Sequence, residues 1–149
     1  MPIIRVALNV HVDTLFDYQA VDAHPQDVGL RVNVPFGKKL LTGIIVAVNS
    51  DTRIAVEKLK TAQIIFRDIA PLPTALLDLF QFCSDYYHHP LGMVIMNGLP
   101  GKLRGNKPFK LSAPSSDHQF HLTTIGKQVD LASIPTRQRI ARRLMIELN

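Results

Sequence analysis

Phe16-Asp17-Tyr18 sets a carboxylate between two aromatic rings, an arrangement that offers flat surfaces for a nucleobase to stack on and an acceptor for base or sugar donors. The plainer reading of the same tripeptide is a strand with Phe16 and Tyr18 in the core and Asp17 in solvent. Phe36-Gly37-Lys38-Lys39 combines a glycine that lets the backbone approach a ligand closely with two ammonium groups suited to phosphate, or is simply a turn. Lys58 and Lys60 stand two residues apart in an expected strand, where they could share a face with those lysines or be solvated edge charges. Phe16, Asp17, Tyr18, Gly37, Lys38 and Lys60 are candidates for a nucleic-acid contact, with the plain readings left open at this point. Lys39, Lys58, Lys102 and Arg104 are secondary candidates for phosphate.

Other residue types point to less. Cys83, Asp85, His88 and His89 lie close in sequence and could make a thiolate nucleophile or part of a metal site. Cys83, however, falls on an apolar helical stripe, where a free cysteine is a small core residue, and His88-His89 before Pro90 read as a helix end favoured by the dipole. Tyr86 and Tyr87 read as packing residues with polar tips. The sequence contains no Gly-x-x-x-x-Gly-Lys-Ser/Thr loop, no Gly-x-Gly-x-x-Gly turn, no His-Glu-x-x-His helix and no Gly-x-Ser-x-Gly elbow. No catalytic residue, metal or cofactor is expected.

The elements that position these residues follow from periodicity. Ile4, Val6, Leu8 and Val10 alternate with polar or small residues, which predicts a strand over 3–11. Further strands are predicted over 15–18, 30–34, 40–48 and 59–66. The stretch 35–39 should break the third as a turn, and Gly43 should mark a bulge or a close backbone approach in the fourth. Short strands separated by turns suggest an α+β fold with a small curved antiparallel sheet or an OB-like barrel. After Pro71-Leu72-Pro73, the spacing of Leu76, Phe80, Cys83 and Tyr87 predicts a helix that Pro73 opens and Pro90 ends. A second short helix is expected over 91–97.

Residues 105–119 read as a linker and 120–149 as an incomplete second domain, with a strand at Phe120-His121-Leu122-Thr123 and a helix after Pro135. That helix carries Ala141, Leu144, Met145 and Leu148 on one side, with Arg137, Arg139, Arg142 and Arg143 largely around the others. Its apolar stripe lacks a partner within the sequence, so self-association through residues 137–148 is expected.

The chain of 149 residues is 46% hydrophobic and 19% charged, which supports a buried core and excludes the disordered class. Its net charge of +5 is concentrated in residues 106–149, which hold seven basic and three acidic side chains. Such an excess attracts phosphate chains through counterion release. No apolar run reaches the roughly 18 residues of a spanning helix. A single cysteine and the lack of a secretory signal point to the cytoplasm.

Several stretches together resemble the N-terminal part of the PriA helicases of bacterial replication restart. They are Thr14-Leu15-Phe16-Asp17-Tyr18, Gly29-Leu30-Arg31-Val32-Asn33-Val34-Pro35-Phe36-Gly37-Lys38, Gly43-Ile44-Ile45-Val46, Leu59-Lys60, Ser84-Asp85-Tyr86-Tyr87-His88-His89-Pro90-Leu91-Gly92 and Leu99-Pro100, in matching order and spacing. The likeness covers residues 1–104, and 120–149 are similar to the start of that family's winged-helix domain. The resemblance implies a module that recognises the 3′ end of the nascent leading strand at a stalled fork. Phe16, Asp17 and Gly37 would line the end pocket and Lys60 would hold phosphate. Its partners would be forked or single-stranded DNA with a free 3′ end and, for a full-length helicase, primosome proteins and single-stranded-DNA-binding protein. The helicase lobes and their cysteine-rich zinc segment are absent from this sequence, so ATP hydrolysis is not expected of it. A protein-interaction or scaffold module with a non-specific basic tail is the alternative.

Overall fold

The computed structural model describes residues 2–49, 52, 54–110 and 121–147. The chain divides into two compact units, Met1–Lys110 and Leu111–Asn149. In the first, strands β1 (Ile3–Leu8), β2 (Phe16–Gln19), β3 (Arg31–Phe36), β4 (Lys39–Asn49) and β5 (Ile64–Phe66) precede helices α1 (Thr74–Tyr87) and α2 (Leu91–Gly98). The strands form one antiparallel sheet in the order β2-β1-β4-β3-β5. The architecture is α+β: an open, curled sheet of OB-like character followed by helices.

The curl brings the two sheet edges together. Gln19 on β2 forms a parallel bridge with Thr61, ahead of β5; its N–H donates to the Lys60 carbonyl and its own carbonyl accepts from Ala62 N–H. Part of the curvature comes from β4, where Arg5 faces Ala47 but Val6 faces Ile45, leaving Val46 as an extra residue. Such a bulge increases local twist. It lies at Val46 rather than at Gly43, where the predicted close approach is found instead: a Cβ there would sit 2.7 Å from the Ala7 carbonyl oxygen.

Both faces of the central strands are covered, which explains why β1 reads Ile-Ile-Arg-Val-Ala-Leu rather than as a strict alternation. Ile4, Val6, Leu8, Tyr18, Val32, Val34 and Ile45 fill the inside of the curl. Ala7 and Ile44 on the outer face meet Phe80 of α1 and Ile95 and Met96 of α2. Full burial of one such aliphatic side chain is worth about 1.5–3 kcal/mol. Gly92 is required here, because a Cβ would fall 1.9 Å from the Leu8 carbonyl oxygen.

Several predicted boundaries move. β1 ends at Leu8, not at residue 11. β3 runs through Pro35, which faces Leu40 of β4, while β5 on the other side reaches only Asn33. The missing N–H therefore lies where no strand needs it. The predicted strand over 59–66 shrinks to three residues, because Val56–Lys58 form a 3-10 turn and 59–63 are an extended crossing segment. In α1 the buried face centres on Phe80 and Ser84, and Tyr86 and Tyr87 are exposed, against the expected packing role. Ser84 Oγ donates to the His89 carbonyl and His88 closes the helix in the left-handed region at φ +49°, while Tyr86 and Tyr87 meet edge to face at the exposed end of α1.

The second unit contains α3 (Thr124–Lys127), whose N-cap Thr123 accepts from Gly126 N–H, and α4 (Arg139–Glu147). Pro135 precedes α4 by a turn rather than opening it. Ile140 and Leu144 are exposed along the helix. Residues 111–120, Leu148, Asn149 and the side chains of Arg139 and Met145 lie outside the described residues.

Candidate nucleic-acid interface

A cleft of about 460 Å³ opens on the inner side of the curled sheet, lined by Phe16, Asp17 and Tyr18 of β2, Pro35, Phe36 and Gly37 at the tip of β3, and Lys58, Leu59 and Lys60 of the crossing segment. Each wall is held by local structure. Gly37 takes φ +58° as the first central residue of the two-residue turn between β3 and β4, a conformation that favours glycine. A Cβ at Gly37 would meet no atom within 4 Å, so the space beside the turn is open to a ligand. The opposite wall is tied to β2 by Gln19 Nε2, which donates to the Val56 carbonyl at 2.7 Å, and by the backbone bonds around Lys60 and Ala62. Leu59 is buried beneath this wall, so Lys58 and Lys60 are left exposed.

The floor is aromatic. Phe16 and Phe36, both partly buried, meet edge to face with centroids 5.2 Å apart. Tyr18 is buried and its hydroxyl donates to the Pro35 carbonyl at 3.3 Å. Burial pushes the Tyr18 phenol above its ordinary range, so it stays a donor.

Asp17 stands directly opposite Arg5 of β1. Arg5 Nε donates to Asp17 Oδ1 at 2.8 Å and Nη2 to Oδ2 at 3.2 Å, and Thr52 Oγ1 donates to Oδ2 at 2.9 Å. The Asp17 side chain is only 9% exposed, not in solvent. The Arg5 fork holds its carboxyl below the usual carboxylate range, with burial opposing and Thr52 adding to the effect. Asp17 also borders a second, more polar cleft of about 400 Å³, whose wall includes Arg5, Asp13, Gln81 and Asp85.

The structure thus brings Phe16, Asp17, Tyr18, Gly37, Lys58 and Lys60 to one cleft. Lys38 and Lys39 are exposed at the turn but do not line it. Lys102 lies in the short 3-10 turn Gly101–Leu103, and Arg104 folds back to donate to the Leu99 and Asn97 carbonyls at 2.8 and 3.1 Å, closing the end of α2. Lys58 and Lys60 reach the cleft from an irregular segment rather than from a shared strand face. Sequence reasoning missed Arg5, Phe36 as a ring partner, and Thr52. The one available signal was a lone arginine interrupting the apolar run of β1. Cys83 is half-buried and, among the described residues, no group of three His, Cys, Asp or Glu side chains is placed to hold a metal ion. No helix among the described residues is long and apolar enough to cross a membrane.

The family model of the PriA 3′DNA-binding domain (3′BD) matches residues 5–100. The replication restart protein PriA of Haemophilus influenzae is 36% identical to this chain over 129 residues, which cover 85% of the chain and 17% of that relative. The chain therefore spans about a sixth of the length of this curated relative.

Proposed function

The chain belongs to the PriA 3′ DNA-binding-domain family, with a DNA-binding role in replication restart, and from that premise we propose that its aromatic cleft receives the 3′-terminal nucleotide of a nascent leading strand at a stalled fork. The observation that carries this reading is the convergence of Phe16, Asp17, Gly37 and Lys60 on one cleft. The terminal base would stack on the Phe16–Phe36 floor, a contact worth about 1–3 kcal/mol and tolerant of sequence. Asp17 would accept from a base N–H or a sugar hydroxyl, and Lys58 and Lys60 would pair with the last phosphates. A continuing strand carries a further phosphate, which brings only acceptors and negative charge to an acceptor wall.

Fluorescence anisotropy with matched oligonucleotides tests this. A free 3′-hydroxyl should bind more tightly than a 3′-phosphate at the same salt concentration, and equal affinities would overturn the reading. Residues 120–149 are read as part of a winged-helix segment, supported by the capped turn at Thr123 and the basic, amphipathic α4.

A further inference from the structure

We propose that Arg5 determines the end selectivity of this cleft by fixing Asp17 as a charge-compensated group that, among the described residues, has one hydrogen-bond acceptor position left to offer. The inference rests on the 3′-end reading above and assigns its selectivity to a residue outside the family-derived set.

Geometry carries the argument. A carboxylate has about four acceptor positions. In Asp17 three are taken: Arg5 Nε holds one on Oδ1, and Arg5 Nη2 and Thr52 Oγ1 hold both on Oδ2. Among the described residues, one position on Oδ1 remains. The paired orientation is set by the sheet, because Arg5 and Asp17 are direct cross-strand partners, and the Asp17 side chain is the more sheltered of the two, 9% exposed against 36% for Arg5. A neutral donor, such as a terminal hydroxyl or a base N–H, can complete this carboxylate; a phosphate cannot.

Arg5 also keeps Asp17 in that state. Among the described residues, Lys58 and Lys60 share the aromatic cleft with Asp17, and Asp13 and Asp85 share the polar one with both Arg5 and Asp17. Without the guanidinium, burial would act on Asp17 with only Thr52 opposing it, and the carboxyl would titrate at higher pH. Once protonated it becomes a donor and loses its preference for donors. Arg5 is thus a positioning residue whose removal should make selectivity sensitive to acid.

The test compares a linear oligothymidine with a circle of the same length, since thymine does not protonate in mild acid and the circle has no end. Wild type should prefer the linear form equally at neutral and mildly acidic pH. Arg5→Met should reduce that preference about tenfold, an effect of the size expected for losing a charged hydrogen-bond partner. The loss should deepen on acidification, with circle affinity almost unchanged, and the Asp17 carboxyl carbon, followed by NMR, should titrate at higher pH. Arg5→Lys, which keeps the charge but not the fork, should recover part of the preference. If Arg5→Met fails to fold, Arg5→Lys and Thr52→Val carry the test, each expected to lower the preference by a smaller factor. Wild-type end preference that survives these variants at every pH overturns the role of Arg5 and leaves the cleft assignment standing. No end preference in wild type overturns the cleft assignment, and this inference with it.

Discussion

Phe16 and Phe36 touch edge to face although two strands, β1 and β4, lie between theirs in the sheet. Only the curl of the sheet makes that contact, so the aromatic floor of the cleft reports directly on tertiary shape. Phe36→Leu keeps apolar volume but removes the ring edge that supports Phe16, and should weaken oligonucleotide binding by about 0.5–1.5 kcal/mol. Phe16→Ala removes the stacking surface itself and should cost about 1–3 kcal/mol. Anisotropy titration at fixed salt measures both, and equal effects from the two variants would mean that Phe36 stacks on the ligand directly.

Lys60 and Arg104 separate phosphate contact from structural support. Lys60 is exposed at the cleft wall, so Lys60→Ala should weaken binding to ends and circles alike and reduce the slope of log affinity against log salt by about 0.7. The Arg104 guanidinium already serves the carbonyls at the end of α2. Arg104→Ala should therefore lower the unfolding midpoint while changing the salt slope less. A slope unaffected by Lys60→Ala would remove Lys60 from the phosphate contacts.

The extent to which this arrangement was legible in the sequence follows from what each signal depends on. The alternation of Ile4, Val6 and Leu8 and the Pro-bounded helix after Pro73 are local patterns, and both elements are present with only their ends displaced. Phe16, Asp17 and Gly37 were selected by residue type and by resemblance, and the cleft unites them. Arg5 stood out only as a lone arginine in an apolar run, and its partner could not be read because cross-strand register is encoded in no local pattern. The segment carrying Lys58 and Lys60 was read as a strand because Leu59 to Phe66 is largely apolar. In the fold it crosses the sheet edge instead, held by Gln19.

Acid should destabilise the first unit through its paired carboxylates. Arg67 donates to Asp27 at 2.9 and 2.7 Å and also reaches Asp22, and hydrogen bonding to Arg67 is the main cause holding both carboxyls below their ordinary range. Asp27 is buried, so its charge depends on that partner. A carboxyl with a lowered folded value binds fewer protons than in the unfolded chain, so its contribution is complete above an unfolded value of about 3.9 and is lost as pH falls through the folded value. Arg67→Met should cost about 1–3 kcal/mol at neutral pH. It should also flatten the decline of stability below about pH 5, because the depression of Asp27 and Asp22 disappears with its cause. Urea unfolding at a series of pH values checks both, and an unchanged acid profile would place the pH dependence elsewhere.

Among the glycines, Gly92 makes the closest approach to a neighbouring backbone, that of β1 under α2. A Cβ there would lie 1.9 Å from the oxygen and 2.4 Å from the carbon of the Leu8 carbonyl, and neither can move without displacing β1. Gly92→Ala should lose about 3 kcal/mol or more, at the upper end of overpacking costs. Gly37→Ala meets open space and should lose only about 1–2 kcal/mol, from the left-handed conformation. Chemical denaturation distinguishes the two, and comparable losses would mean that α2 can slide along β1.

Arg31 anchors the segment by which the chain leaves the sheet. Its guanidinium is 3% exposed, lies 4.8 Å over the Phe66 ring, and pairs through Nη2 with Asp68 Oδ2 at 2.7 Å. Nη1 faces the carbonyls of Leu103, Gly105 and Lys107 at 3.3–3.4 Å, while Asn33 Nδ2 donates to the Asn106 carbonyl at 3.1 Å. Asp68 in turn accepts from Phe109 N–H. The Nη1 contacts, all at the long end of the hydrogen-bond range, are individually weak. The Asp68 pair is different: its side chain is 16% exposed, and removing Arg31 leaves a largely desolvated anion with backbone donors only. Arg31→Met should therefore cost about 3 kcal/mol, nearer the penalty for breaking a buried ion pair than that for losing a surface one. The loss should be local as well as global. Hydrogen exchange should show the Phe109 amide losing protection by about tenfold beyond the global change, as its acceptor turns to water, while amides of the β1–β4 ladder follow the global change alone. Asp68→Asn keeps an acceptor for Phe109 and removes the uncompensated charge, so combining it with Arg31→Met should restore part of the stability. A double variant as unstable as the sum of the single ones would show that Arg31 acts through Phe66 and the carbonyls rather than through Asp68.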